Sequence, residues 1–299
     1  MRDRQPVTDD SPGARLGRAV ARTLRRTGSH ENLPLRWRRG VRPVITRLRF
    51  IGLTLDDVLV ASYPRSGSTW LRFLLTEILM QQSVEWPLVN RVIPGAGEHF
   101  DAPKILPNGG RLIQTHDRYA GPCSRAVYLV RDIRDVILSE YRWELRGGVR
   151  RSLDKQIQLS LTGGTPMSLF GSWHDHVAYW LDSELARRGD LLLMKYEELR
   201  HNPDEKLREL LRFLGAEATD TQIAAAIENN SLDRMREREE RAVHAGIRPG
   251  DPRYPWIGKG AVMGWRSKLT GEQLARVDER AGDVLARLEY PTSERPDAR

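Results

Sequence analysis

The amino-acid sequence predicts an α/β fold, a central parallel β-sheet flanked by helices on both faces. Three observations carry that expectation. Short apolar runs alternate with segments of helical period. The runs are apolar throughout, as strands covered on both faces are. Several helical segments stop on glycine, where a left-handed residue closes the last turn. The chain of 299 residues has room for one large domain or two small ones, and its 39% apolar content is ample for a packed core.

The first strand is "DDVLVASYP", ending at Pro64, because proline removes a ladder donor. Residues 68–82 follow as a helix with Leu71, Leu74, Leu75, Ile78 and Leu79 on one stripe. "RLIQT" (111–115) and "AVYLV" (126–130) are two more strands. "RDIRDVILSEYRWELR" is a helix closed by Gly147 and Gly148, and "FGSWHDHVAYWLDSELARRG" is a helix with its own glycine stop. "LLLMKYEEL" (191–199) begins as a fourth strand. "NPDEKLRELLRFLG" is a helix from Pro203 to Gly215. Residues 231–262 read as a short charged helix followed by a long loop rich in Gly and Pro.

Charge divides the chain. Residues 1–50 hold thirteen arginines against four acidic residues, a net +9, so the rest carries −1 of the total of +8. Residues 1–50 therefore read as a basic arm, partly disordered or amphipathic, and 51–299 as one domain. Leu16, Val20 and Leu24 recur at helical spacing in that arm. It is either a solvated tail or a contact with an anionic membrane or acidic partner. The near-neutral body offers no nucleic-acid readout. No run approaches the roughly 20 apolar residues that span a bilayer, and no apolar segment follows the charged start as in a secretory signal. The lone Cys123 excludes an internal disulfide and a cysteine-based zinc site, which fits a reducing cytoplasm.

In parallel sheets ligands sit beyond the strand carboxyl ends. Pro64-Arg65-Ser66, Thr115-His116-Asp117, Arg131-Asp132 and Lys195-Tyr196 all fall there. The strand, turn and helix around "YPRSGSTW" form the layout in which backbone N–H groups hold an anion. Arg65 adds a planar cation, Ser66, Ser68 and Thr69 add hydroxyls, and Gly67 permits close approach. A plain Ser/Thr helix cap is the bland reading, but a cap needs no cation. The G-x-x-x-x-G-K-[ST] loop of ATP sites and the GxGxxG dinucleotide fingerprint are both absent. Trp70 is either core or a platform for a base. His174 and His176 lie two apart on a helix, and His176 reads as a core histidine.

"YPRSGSTW" resembles the 5′-phosphosulfate loop of the cytosolic-type sulfotransferases that use 3′-phosphoadenosine 5′-phosphosulfate (PAPS), usually written YPKSGTTW. "VYLVRDIRDVILSEYRW" is similar to that family's 3′-phosphate motif, and "LIQTHDRY" to the segment carrying its catalytic histidine. "GKGAVMGWRSKLT" resembles its C-terminal K-G-x-x-G-x-W-K loop. "FGSWHDHVAYW" and "MKYEEL" match further landmarks. The likeness spans about residues 57–271 and leaves the basic arm uncovered.

The resemblance implies a P-loop-NTPase-like sulfotransferase fold, with 51–299 as a single sulfotransferase domain. It implies PAPS as donor, PAP as product and no metal. Arg65, Ser66, Gly67, Ser68, Thr69 and Trp70 would hold the phosphosulfate and adenine. Arg131 and Ser139 would bind the 3′-phosphate, with Lys259 and Gly260 closing over it. Tyr196 and Ser231 would touch adenine, although Asn230 and Leu232 depart from the family's Thr-Ser-Phe. His116 would be the general base and Arg65 the catalytic cation. The acceptor would be a hydroxylated small molecule, lipid or glycoside. Its pocket would be bordered by 81–110, 140–170 and 233–257, with Trp86, Phe100, Tyr141, Trp143, Phe170, Tyr254 and Trp256. Arg65 and Gln114 replace family lysines, and Arg118 is the candidate to restore the second charge. The family's dimer motif is not reproduced around Arg266, Thr270, Gly271 and Ala275. The competing readings are a non-catalytic PAP- or PAPS-binding protein docked by its arm, and a nucleotide kinase, which would need the missing Walker lysine.

Overall fold

The structure is a computed structural model that describes residues 35–119, 121–247, 257–258 and 260–291. Among these, four strands form one sheet: β1 (Val58–Ser62), β2 (Leu112–Thr115), β3 (Arg125–Val130) and β4 (Leu191–Lys195). The helices are α1 (Leu35–Arg49), α2 (Ser68–Met80), α3 (Trp86–Val92) and α4 (Ile133–Arg146). They continue as α5 (Leu153–Thr162), α6 (Trp173–Leu181), α7 (Glu184–Arg187) and α8 (Tyr196–His201). The last four are α9 (Pro203–Leu214), α10 (Asp220–Asn229), α11 (Leu232–His244) and α12 (Gly271–Arg287). None is long and apolar enough to cross a membrane.

The sheet order is β2-β1-β3-β4, with every neighbouring pair parallel. The chain moves from β1 to one side for β2, then crosses to the other side for β3. The crevice beyond the carboxyl end of β1 is therefore the topological switch point. All four sequence-predicted strands are present, and each polar cluster lies at the end of one.

The continuous apolar runs follow from burial on both faces. Leu59 and Ala61 point with Tyr128 and Val130 into a core that also holds Ile137, Ile157, Trp173, Trp180 and Val277. Val58 and Val60 point the other way, with Val127 and Leu129, toward Leu71, Leu74, Leu207 and Leu211. Each side chain fully buried this way contributes about 1.5–3 kcal/mol. At the strand starts, Arg111 clamps β2 to β1 by donating through Nη2 to Asp57 Oδ2 at 2.6 Å. That guanidinium holds the Asp57 carboxyl below its usual range against the opposing effect of burial.

Several elements differ from the expectation, and helices α3, α5, α10 and α12 stand where none was expected. The single helix expected over "FGSWHDHVAYWLDSELARRG" is two, because Ser183 caps a new helix by accepting from Ala186 N and donating to Trp180 O. Helix α5 arises where no helix was read, capped by Ser152. Part of the basic segment, α1, is a helix docked on the body despite Pro43 within it.

Candidate functional site

A cavity of about 310 Å³ opens at the switch point. The loop after β1, the ends of β2, β3 and β4, the α4 face and the start of α11 all reach it. Arg65, Gly67, Ser68, Thr69, Trp70, His116, Arg131, Ser139, Tyr196 and Gly260 line it. Residues far apart in sequence are thereby brought to one space.

The loop shows why its residues are these. Arg65 stands at φ +69°, a left-handed conformation costing a non-glycine residue about 1–2 kcal/mol. Two bonds hold it there: its carbonyl accepts from Arg131 Nη1 at 3.2 Å, and its Nε donates to Ser139 Oγ at 3.2 Å. Gly67 has φ +98°, and a Cβ there would lie 2.5 Å from the Tyr196 ring. Only glycine lets the loop pass the tyrosine. Helix α2 then starts with no side-chain cap, which leaves its first N–H groups for a ligand. Ser66 Oγ and Arg131 Nε are buried without a partner among the described residues. Orphaned donors beside uncapped amides fit a multiply charged anion.

Arg131 is held from several sides. Its Nη2 donates to Ala261 O at 2.8 Å, its guanidinium lies 4.5 Å over the Tyr196 ring, and its carbonyl accepts from Trp173 Nε1. The next residue, Asp132, caps α4 and chelates Arg134, whose guanidinium stacks 3.8 Å from the Trp265 ring. Trp70 donates its indole N–H to Asn230 O at 2.8 Å and packs edge-on against Tyr196. Asn230 is itself buried and bonded to Glu77 and Arg238, so its role here is to anchor that indole.

His116 faces the cavity with one nitrogen committed. Its Nδ1 donates to the Ser62 carbonyl at 2.7 Å. A carbonyl only accepts, so Nδ1 carries the proton and Nε2 keeps its lone pair. Burial pushes the imidazole down to about 4, against the Ser62 carbonyl and Asp117, which both raise it. The ring is therefore neutral at neutral pH. His176 is the buried core histidine expected of it. Its Nδ1 accepts from Tyr128 OH at 2.8 Å, and its Nε2 donates to His116 O at 2.9 Å.

Not every expected residue arrives. Ser66 lies buried beneath the loop rather than on the cavity wall. Ser231 is exposed at the N-cap of α11, away from the cavity. Lys259, Tyr254 and Trp256 lie outside the described residues. Arg118 is exposed and packs 5.2 Å from the Tyr179 ring, away from the cavity. Of the described aromatic residues expected around the acceptor, only Phe170 lines this cavity; Trp86 packs on Phe73 and Phe100 on His99.

Arg142 and Arg200 were not anticipated, and both line the cavity. Arg142 is one helical turn beyond Ser139, and Arg200 is one turn beyond Tyr196 and 5.0 Å over the Trp70 ring. Helical spacing from residues already suspected was the signal for both. Among the described residues no group of three or more His, Cys, Asp or Glu is placed to hold a metal ion.

A cationic cradle for phosphate-like groups, facing a neutral histidine, defines a group-transfer site. The chain belongs to the sulfotransferase domain family, whose pattern matches residues 55–289. It is a sulfotransferase, an enzyme that moves a sulfuryl group. Mouse sulfotransferase 1B1 is 25% identical over 249 residues, covering 75% of this chain and 81% of its own. Cytosolic sulfotransferase 3 of Arabidopsis thaliana is 27% identical over 244 residues, covering 74% of each. The fold is that of mouse sulfotransferase SULT7A1 complexed with PAP, at TM-score 0.59 and 23% identity over 79% of this chain and 90% of that one. Retinol dehydratase in complex with androsterone and PAP shares it too, at TM-score 0.63 and 18% identity over 83% and 84%.

Proposed function

We propose that the chain transfers the sulfuryl group of PAPS to a hydroxyl of a small-molecule, lipid or glycoside acceptor, with His116 as general base. One observation carries this reading: a neutral imidazole with a free Nε2 lone pair shares a cavity with a cradle of arginines and uncapped amides. The loop 65–70 would hold the phosphosulfate, Trp70 and Tyr196 the adenine, and Arg131, Ser139 and Gly260 the 3′-phosphate. Ser231 and Lys259 complete the proposed donor set.

His116 Nε2 takes the acceptor proton as the hydroxyl oxygen attacks sulfur. The bond from sulfur to the 5′-phosphate oxygen breaks, and PAP leaves with that electron pair. Negative charge builds on the departing oxygen. Arg65 lies in the loop that would hold it, and a guanidinium stays charged, so it stabilises the charge rather than delivering a proton. Arg142 and Arg200 add cationic character to the same cavity, as Arg118 does not.

Radiolabelled sulfate supplied as PAPS, set against terminally labelled ATP, tests the reading. Label from PAPS should reach a hydroxylated acceptor, and label from ATP should not. Binding of PAP with no transfer to any acceptor panel would instead support the non-catalytic alternative, which the retained base disfavours.

We further propose residues 51–299 as the transferase domain; the family match over 55–289 supports that extent. For the basic segment 1–50 we propose peripheral contact with an anionic membrane from a cytoplasmic location. Co-sedimentation with phosphatidylserine vesicles, with and without residues 1–34, tests it.

A further inference from the structure

Asp117, directly after His116, is buried and accepts three hydrogen bonds from a helix about seventy residues earlier in the chain. Arg42 Nε donates to Oδ1 at 2.6 Å, Thr46 Oγ1 to Oδ1 at 2.9 Å, and Arg49 Nη1 to Oδ2 at 3.2 Å. Its backbone N–H is held by Thr115 Oγ1 at 3.0 Å. The Arg42 guanidinium also lies 4.4 Å from the centroid of the Phe170 ring. That ring lines the cavity and meets the His116 imidazole edge-on at 5.5 Å. One arginine on α1 therefore touches both neighbours of the base, its successor in sequence and the ring against its face.

We propose that helix α1 is a positioning element for His116, acting through Asp117 and Phe170, with Arg42 as its principal residue. This rests on the reading of His116 as base. A surface ion pair would add little, but Asp117 is buried, and a buried carboxylate with multiple donors is a rigid joint. His116 is fixed at its ring Nδ1 by Ser62 and at its backbone carbonyl by His176, and both bonds come from the body of the domain. Asp117 and Phe170 are two places beside the histidine where the basic segment takes hold. Arg42 and Arg49 thus serve the interior as well as the charge of the segment.

The charged and titratable groups packed against His116 are Asp117 on its own strand end, Arg42 and Arg49 on α1, and His176 on α6, and Arg65, Arg131, Arg142 and Arg200 share the cavity it faces. Both arginines disfavour the imidazolium and Asp117 favours it. Loss of Arg42 removes one cation and leaves Asp117 less neutralised, so the imidazole pKa should rise.

The experiment is NMR titration of the His116 ring in the full chain saturated with PAP, assigned with His116→Ala. In Arg42→Ala the ring should titrate at a higher pH than in the wild type. Its Nδ1 proton should exchange faster with solvent, while PAP affinity by calorimetry stays within about twofold. Arg42→Lys should restore most of both signals. Thr46→Val, a milder change, should move Nδ1 exchange in the same direction. A lowered melting temperature with unchanged titration and exchange in Arg42→Ala and Thr46→Val would overturn the proposal. Full sulfate transfer by His116→Ala, with the Arg42 effects intact, would sink the base assignment and leave the positioning contact standing.

Discussion

The proposed donor half and the proposed acceptor half of the cavity are built in different ways. The donor half rests on neighbouring residues: Arg65 to Trp70 run along one strand-to-helix turn, and Arg131 directly precedes α4, on which Ser139 and Arg142 lie one turn apart. The acceptor half is assembled from distant pieces. His116 is fixed by Ser62 and His176, and its surroundings by Arg42, Asp117 and Phe170. Local geometry therefore sets where an anion binds. Long-range contacts set where His116, the proposed base, sits. Substitutions in the two halves should separate binding from turnover.

The largest separation is expected at His116. Its replacement by alanine should lower turnover by roughly 10²–10⁴-fold. PAP affinity, set in the other half, should stay within about twofold by calorimetry. A comparable loss of PAP affinity would mean that the two halves are one.

Arg131→Ala is the reverse case. Charge-assisted hydrogen bonds contribute about 1.5–3 kcal/mol each, so PAP should bind roughly 10- to 100-fold more weakly. Gly67→Ala should act in the same direction without removing any charge. Its Cβ would meet the Tyr196 ring in a strained left-handed position, a cost of about 1–3 kcal/mol. Calorimetry on both variants checks this. A Gly67→Ala chain that binds PAP normally would show that the loop is not held by Tyr196.

Proton chemistry sharpens the contrast further. The proposed base would act when neutral, so turnover should hold as pH falls from neutral and drop only as it passes about 4, where burial places the His116 imidazole. The same shift bears on stability. The folded-state value lies below the unfolded value of about 6.5, so the stabilising effect is complete above 6.5 and is lost as pH falls toward 4. His99, lowered to about 4, and His176, lowered to about 3, add to it by the same mechanism. Thermal melts from pH 7 to 4 should show uptake of up to three protons on unfolding. Uptake of none would mean that these imidazoles are solvated.

The same division governs what the sequence reveals. The sheet and the proposed donor loop are legible because their signals are local: continuous apolar strands, and a cation and a glycine in a strand-to-helix turn. Helix α1 is hidden in a run of arginines, with Pro43 inside it and no acidic residue in its first turn. What holds it is Asp117, 68 to 75 positions away, and no local pattern announces such a pairing. Helix α12 is a different case. Its capping box, Thr270 with Gln273, is a local signal that was present to be read.

The smallest expected effect lies where the resemblance and the geometry part. Ser231 belongs to the proposed donor set by its place in the family pattern, yet its side chain is exposed and off the cavity wall. Its neighbour Leu232 lines the cavity and also lies 3.6 Å from where a side chain on Gly260 would begin. The adenine platform should therefore depend on the apolar residue rather than on the hydroxyl. Leu232→Ala should weaken PAP binding severalfold, and Ser231→Ala should change it by less than about twofold. A larger effect at Ser231 would mean that the start of α11 turns inward when the donor binds. The donor half would then also be completed by a movement, and the contrast between local and long-range assembly would narrow.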